Sequence, residues 1–141
     1  MSAESITLSV NVTVTSPIAG IADLHVTVAL TNQGRAPIQL NTVALQSPAT
    51  ALRMRDADLV MLKPGPPPVP PVDDGKAGRR QLGPDESITF HYRGRDYMAG
   101  RSVPPGRYEV MFRYRNTRDA YGDWVGTIES PWVGFEVRPD R

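Results

Sequence analysis

The side chains able to do chemistry are few and widely spaced. The chain of 141 residues contains no cysteine and two histidines, which excludes thiol nucleophiles, disulfide frameworks and Cys-ligated metal centres. His25 and His91 lie in separate segments of alternating apolar residues, each at an outward position. A hydrolytic triad needs a nucleophile, a base and an orienting acid within reach of one another, and no serine stands in a Gly-x-Ser-x-Gly turn. The expectation is a protein that binds and does not catalyse. Acids collect in three turn-like stretches, Asp56-Ala57-Asp58, Asp73-Asp74-Gly75 and Asp119-Ala120-Tyr121-Gly122-Asp123. Oxygen-rich loops can hold calcium, but none of these has the spacing of an EF-hand loop. Asp119 and Asp123 are the candidate ligands; no other metal and no cofactor are expected.

Three further groups of residues could recognise a partner. Arginine outnumbers lysine 14 to 2, and seven arginines fall between Arg93 and Arg118. Guanidinium binds carboxylates flat and bidentately, and alternation turns Arg107, Arg113 and Arg115, with His91, away from the core. The candidate set on this count is Arg93, Arg95, Arg113 and Arg115, facing an acidic protein or another polyanion. A formal net charge of +1 disfavours nucleic acid, which calls for more clustered charge with exposed aromatics. Tyr97, Tyr121 and Trp124, with Trp132, stand in or beside loops, where rings stack on sugars or anchor a protein interface. Pro66, Pro67 and Pro68 belong to a stretch from Pro64 to Pro71 that reads as polyproline II, the form in which proline-rich ligands dock.

The elements that must hold these residues are strands. Ile6, Leu8, Val10, Val12 and Val14 alternate with polar residues, as do Leu24, Val26, Val28 and Leu30, and a period of two marks half-buried strands. Asn32-Gln33-Gly34-Arg35 reads as a turn using positive φ, followed by a third strand over 37–46. The segments 52–55 and 59–62 form a short edge hairpin around Asp56-Ala57-Asp58. Residues 63–80 are a long proline-rich surface loop. Beyond a turn at 82–86 come strands at 87–92, from Arg107 to Arg115, at 124–130 and at 133–137. With no helical segment to cross between parallel partners, about eight strands predict an all-β, antiparallel two-sheet sandwich in a single domain over 1–141. Its core would draw on Ile6, Val10, Val26, Val28, Phe90, Tyr108, Val110, Phe112 and Phe135.

Two local patterns carry a resemblance: Leu82-Gly83-Pro84-Asp85-Glu86-Ser87 leading into a strand, then Pro105-Gly106-Arg107-Tyr108 leading into the longest one. Together with Val26 to Gly34 they resemble bacterial immunoglobulin-like β-sandwich domains, in particular intracellular proteinase-inhibitor domains and the sandwiches that precede some metalloprotease catalytic domains. The resemblance implies an immunoglobulin-like fold, with Tyr108 packing inward much as a tyrosine corner does. It covers about half the chain, and no inhibitory-loop motif carries over.

Met1-Ser2-Ala3-Glu4 lacks the positive n-region of a signal peptide, and no apolar run reaches the roughly 18 residues of a membrane helix. A cytoplasmic protein with no membrane partner is expected, or an exported one if a leader has been removed. The reading is a non-catalytic protein-binding module, similar to a proteinase inhibitor. The alternatives are a carbohydrate-binding module using the loop aromatics and an assembly subunit pairing through edge strands.

Overall fold

A computed structural model describes residues 8–65 and 78–139. Nine strands lie among them: β1 Leu8–Val14, β2 His25–Asn32, β3 Ile38–Asn41, β4 Leu52–Asp56, β5 Arg79–Leu82, β6 Ser87–Arg93, β7 Gly106–Asn116, β8 Gly126–Glu129 and β9 Val133–Val137. All the strand pairings are antiparallel. β2 sits between β1 and β6, β3 pairs with β5, and β7 pairs with β4 on one side and with β8 and β9 on the other. The chain is thus mostly β, built from several open antiparallel sheets and not a barrel, an arrangement consistent with an all-β sandwich.

Alternation does most of the work of burial. Val26, Val28 and Leu30 on β2, Leu52 and Met54 on β4, and Val110 and Phe112 on β7 are almost wholly excluded from solvent and belong to one apolar cluster. That cluster draws on residues before 66 and after 77 alike. On β1 it is Leu8 and Val12 that are buried, while Val10 is half-buried, as is Phe90 on β6. Ile6 and the prolines Pro66, Pro67 and Pro68 lie outside the described residues.

Several local expectations need correction. The third strand is four residues long and gives way to a 3-10 turn over Val43–Gln46 and a one-turn helix, α1, Pro48–Ala51. The end of the supposed proline-rich loop is strand β5, paired with β3 in the register Asn41↔Arg79 to Ile38↔Leu82. Alternation is faint in four residues, and Arg79-Arg80-Gln81 carries no apolar signal. Asn32 is not a positive-φ turn residue but the buried last residue of β2. Its amide nitrogen donates to the carbonyls of Ala36 and Leu82, and its Oδ1 accepts from the N–H of Gly34. Asn32→Ala would strand three polar groups at a buried site, so it should cost about 2–3 kcal/mol in urea unfolding.

The last strand is split. β8 pairs with the upper part of β7 and β9 with the lower part, and Ser130-Pro131-Trp132 lies between. Pro131 has no N–H to donate. The ladder continues through Ser130 instead: its N–H donates to Phe112 O, and its buried Oγ accepts from Phe112 N–H at 2.9 Å. A second one-turn helix, α2, Gly94–Tyr97, packs on the turn at Ile21–Asp23. A Cβ on Gly94 would stand 2.4 Å from the carbonyl oxygen of Ile21, so only glycine lets α2 come this close. Among the described residues no helix is long and apolar enough to cross a membrane.

Candidate binding surfaces

The tip between β4 and the arm that follows it is the first candidate. Asp56 Oδ1 accepts from the N–H groups of Asp58 and Val60, and Leu59 N–H donates to Asp56 O, so the reversal is held at several points. The arm returns along β4 through the Arg55↔Met61 bridge and the Leu62 N–H to Met54 O bond. Leu59 takes φ of +66°, a left-handed conformation that costs a side-chain-bearing residue about 1–2 kcal/mol. It is also 63% exposed, with Val60 and Met61 beside it at 58% and 47%. Leu59 borders an open cleft of about 480 Å³ whose other walls include Arg107, Tyr108, Glu109 and Phe135.

On the outer face of the same sheet, Arg55 joins Glu109 through an Nε to Oε1 contact of 2.7 Å and covers the ring of Trp132 at 3.9 Å. Met111, which alternation along β7 places on the same face as Arg107, Arg113 and Arg115, is buried. This face is therefore partly apolar beneath its charges.

The sequence-based candidates separate in space. Arg113 and Arg115 are brought together on β7, where they line a cleft of about 240 Å³ with Arg53, Thr50, Leu45 and Tyr114. Arg93 ends β6 opposite His25, and Arg95 is exposed on α2; neither lines that cleft. Arg107 belongs to the cleft beside Leu59, and His91 is on β6, in the sheet with β1 and β2, 3.4 Å from Thr27 Oγ1. There is thus no single arginine face of the kind expected. Tyr97 is not a loop-edge ring: it is 2% exposed, and its hydroxyl donates to Leu62 O. The close seating of α2 on the 21–24 turn carries it inward.

Tyr121 and Trp124 do meet, around a cleft of about 530 Å³ completed by Pro37, Ile38, Gln39, Gln81 and Gly122. Tyr121 is exposed, in a left-handed conformation with φ of +59°, and Arg79 covers its ring at 4.9 Å. Trp124 is half-buried and stacks on Tyr114 at 5.9 Å. The loop carrying both is clamped from below. Arg79 Nε and Nη2 donate to the two oxygens of Asp123 at 3.0 and 2.8 Å, and Gln39 Nε2 donates to Asp123 Oδ1 and to Tyr121 O. Asp123 is therefore not poised for calcium: it is buried, and both its oxygens accept from arginine. Asp119 is exposed, and no group of three or more metal-ligating side chains occurs among the described residues.

Burial moves the tyrosines that the sheets enclose. The hydroxyls of Tyr92, Tyr97, Tyr108 and Tyr114 are all pushed above their ordinary value of 10.0, Tyr114 to about 12, with desolvation the main cause in each. At neutral pH they act as neutral donors, Tyr92 to Leu45 O at 2.6 Å and Tyr114 to Asn41 O at 3.0 Å. Two residues that matter on these surfaces, Leu59 and Arg53, were not singled out from the sequence. An apolar residue directly after the Asp-Ala-Asp turn was the available signal for Leu59; for Arg53 the cross-strand neighbours decide, and no local signal exists. In comparison with known proteins, the chain matches no family model and no curated protein, so its function has to be read from these surfaces.

Proposed function

We propose that the chain is a non-catalytic β-sandwich module of the immunoglobulin-like type that binds a partner protein through the Leu59–Met61 arm and the cleft beside it. The sandwich reading draws support from connectivity: β1, β2 and β6 in one sheet, β4, β7 and the split last strand in the other. Tyr108 adds to it, stacked on Phe135 at 5.6 Å with its hydroxyl donating to Pro104 O four residues upstream, the pattern of a tyrosine corner. The observation that carries the binding role is Leu59 itself. A leucine held left-handed and exposed costs backbone strain and leaves apolar surface in water; glycine would avoid both. Strain of this kind accumulates where a residue is needed for contact. Arg55, Trp132 and Arg107 nearby are of the types that anchor interfaces, and a protease is the partner class that the family resemblance favours.

Leu59→Gly separates stability from function. Relief of the left-handed leucine should leave the fold as stable or up to about 1 kcal/mol more stable, while partners retained from a host lysate, or inhibition within a panel of bacterial proteases, should fall about tenfold or more. Partners held equally by wild type and by a Leu59→Gly, Met61→Asp chain would refute the assignment of this surface. A second reading rests on the cleft of Tyr121 and Trp124, whose rings and neighbouring glutamines suit a saccharide; there an oligosaccharide should quench tryptophan emission, and Tyr121→Ala should abolish the quenching.

A further inference from the structure

The cleft on the other end of the β4–β7 face has a different chemistry. Three of its six lining residues are arginines, Arg53, Arg113 and Arg115, contributed by two neighbouring strands, and the rest are Thr50, Leu45 and Tyr114. The convergence follows from register. Arg53 lies opposite Met111, so Arg113, two residues along β7, emerges on the same side of the sheet one step toward α1, and Arg115 one step further. α1 closes that end with Thr50. Three cations lining one cleft repel one another, and among the described residues a single ion pair, at Arg113, offsets them. Glu129, opposite Arg113 in the ladder, comes within 3.4 Å of Arg113 Nε. No ion pair joins Arg53 or Arg115 to a carboxylate among the described residues.

Arg113 supplies the second observation. Its Nε is buried yet has no hydrogen-bond partner, the Glu129 contact lacking hydrogen-bond geometry. Only one other buried side-chain atom among the described residues is in this condition, Ser47 Oγ, at the start of α1. A buried donor left unsatisfied is costly, and the guanidinium that carries it lines the cleft.

We infer that this cleft is a binding site for a tetrahedral oxyanion, a phosphate or sulfate group. Such an anion presents several acceptor oxygens to guanidiniums that converge from different directions, which a planar carboxylate cannot do equally well. The volume of about 240 Å³ admits such a group together with several waters. The site is independent of the protein-docking surface around Leu59, and either could exist without the other.

The test is an NMR titration of the arginine Nε–H resonances at constant ionic strength, with inorganic phosphate, sulfate, acetate and chloride. Saturable shifts of Arg53, Arg113 and Arg115 with phosphate and sulfate, about tenfold stronger than with acetate, are the expected result. An Arg53→Gln, Arg115→Gln chain alters exposed or half-exposed side chains only and should fold normally by circular dichroism while losing about tenfold in phosphate affinity. Shifts that are linear and equal for all four anions would overturn the site, as would unchanged phosphate affinity in the double variant. A phosphoserine peptide binding more tightly than inorganic phosphate would identify the anion as a group carried on a protein, and weaker binding would identify it as the free ion; both uphold the site.

Discussion

Asp123→Ala should be the most damaging single change, costing about 3–5 kcal/mol of folding stability and lowering the thermal midpoint by on the order of 10 °C or more. The side chains of Arg79 and Asp123 are 6% and 1% exposed, so the pair carries two charges out of water. Their double contact offsets that desolvation only while both are present. Without the carboxylate, a guanidinium stays in the interior between β5 and the 119–124 loop, and Gln39 loses one of its two acceptors. Asp123→Asn should recover little, since it offers a neutral amide where Arg79 needs charge. The informative comparison is Arg79→Met with Asp123→Leu, which removes both charges and keeps the volume; it should be closer to wild type than Asp123→Ala. Urea unfolding of wild type, Arg79→Met, Asp123→Leu and the double variant as a cycle measures the coupling. A loss of less than about 1 kcal/mol for Asp123→Ala would mean that the pair is solvated like a surface ion pair.

The second large effect is alkaline unfolding. Tyr92, Tyr97, Tyr108 and Tyr114 hold their protons more tightly in the fold than in the unfolded chain, where a tyrosine titrates near 10.0; burial is the leading cause, and the charge of Asp56 adds to it at Tyr108. Raised values of this sign stabilise fully below pH 10, and the contribution is lost as pH rises through the folded values, which for Tyr114 means up to about 12. Within that window each such group lowers stability by up to about 1.4 kcal/mol per pH unit. Stability should therefore stay level to the edge of pH 10 and then fall steeply, with phenolate absorbance and loss of the far-ultraviolet strand signal rising together. Tyr92→Phe should make the fall shallower by one group's share. Gradual ionisation of these tyrosines with the strand signal intact would contradict the burial of their hydroxyls.

Much of the sheet structure was legible because alternation is a local property. Val26, Val28 and Leu30, or Tyr108, Val110, Phe112 and Tyr114, declare their common face within one strand, and the structure buries all of them. What alternation cannot carry is a partner from far along the chain. Asp123 looks like a turn acid until Arg79, 44 residues away, is set beneath it. Tyr97 looks like a loop ring until Gly94 lets α2 settle on Ile21 and Leu24. Asn32 signalled a turn correctly, yet acts through its side chain and not its φ. The arginine cleft was half visible, since Arg113 and Arg115 share a face by sequence alone, while Arg53 joins them only through the β4–β7 register.

The interrupted last strand bears on how copies of the molecule behave at high concentration. An edge strand with a continuous row of free N–H and C=O groups is a template for adding another chain, and proteins blunt such edges with prolines and short strands. Here the edge is two pieces of four and five residues with Pro131 between them, and Ser130 turns its hydroxyl inward to keep Phe112 paired. The break therefore costs the interior nothing in hydrogen bonding while denying a neighbour the regular spacing it would need. On this side of the sheet, the polymerising growth of strand upon strand is obstructed by Pro131 at the break and, along β9, by the Ser16–Ile18 segment, which already bridges Val137 and exchanges hydrogen bonds with Glu136 and Arg138.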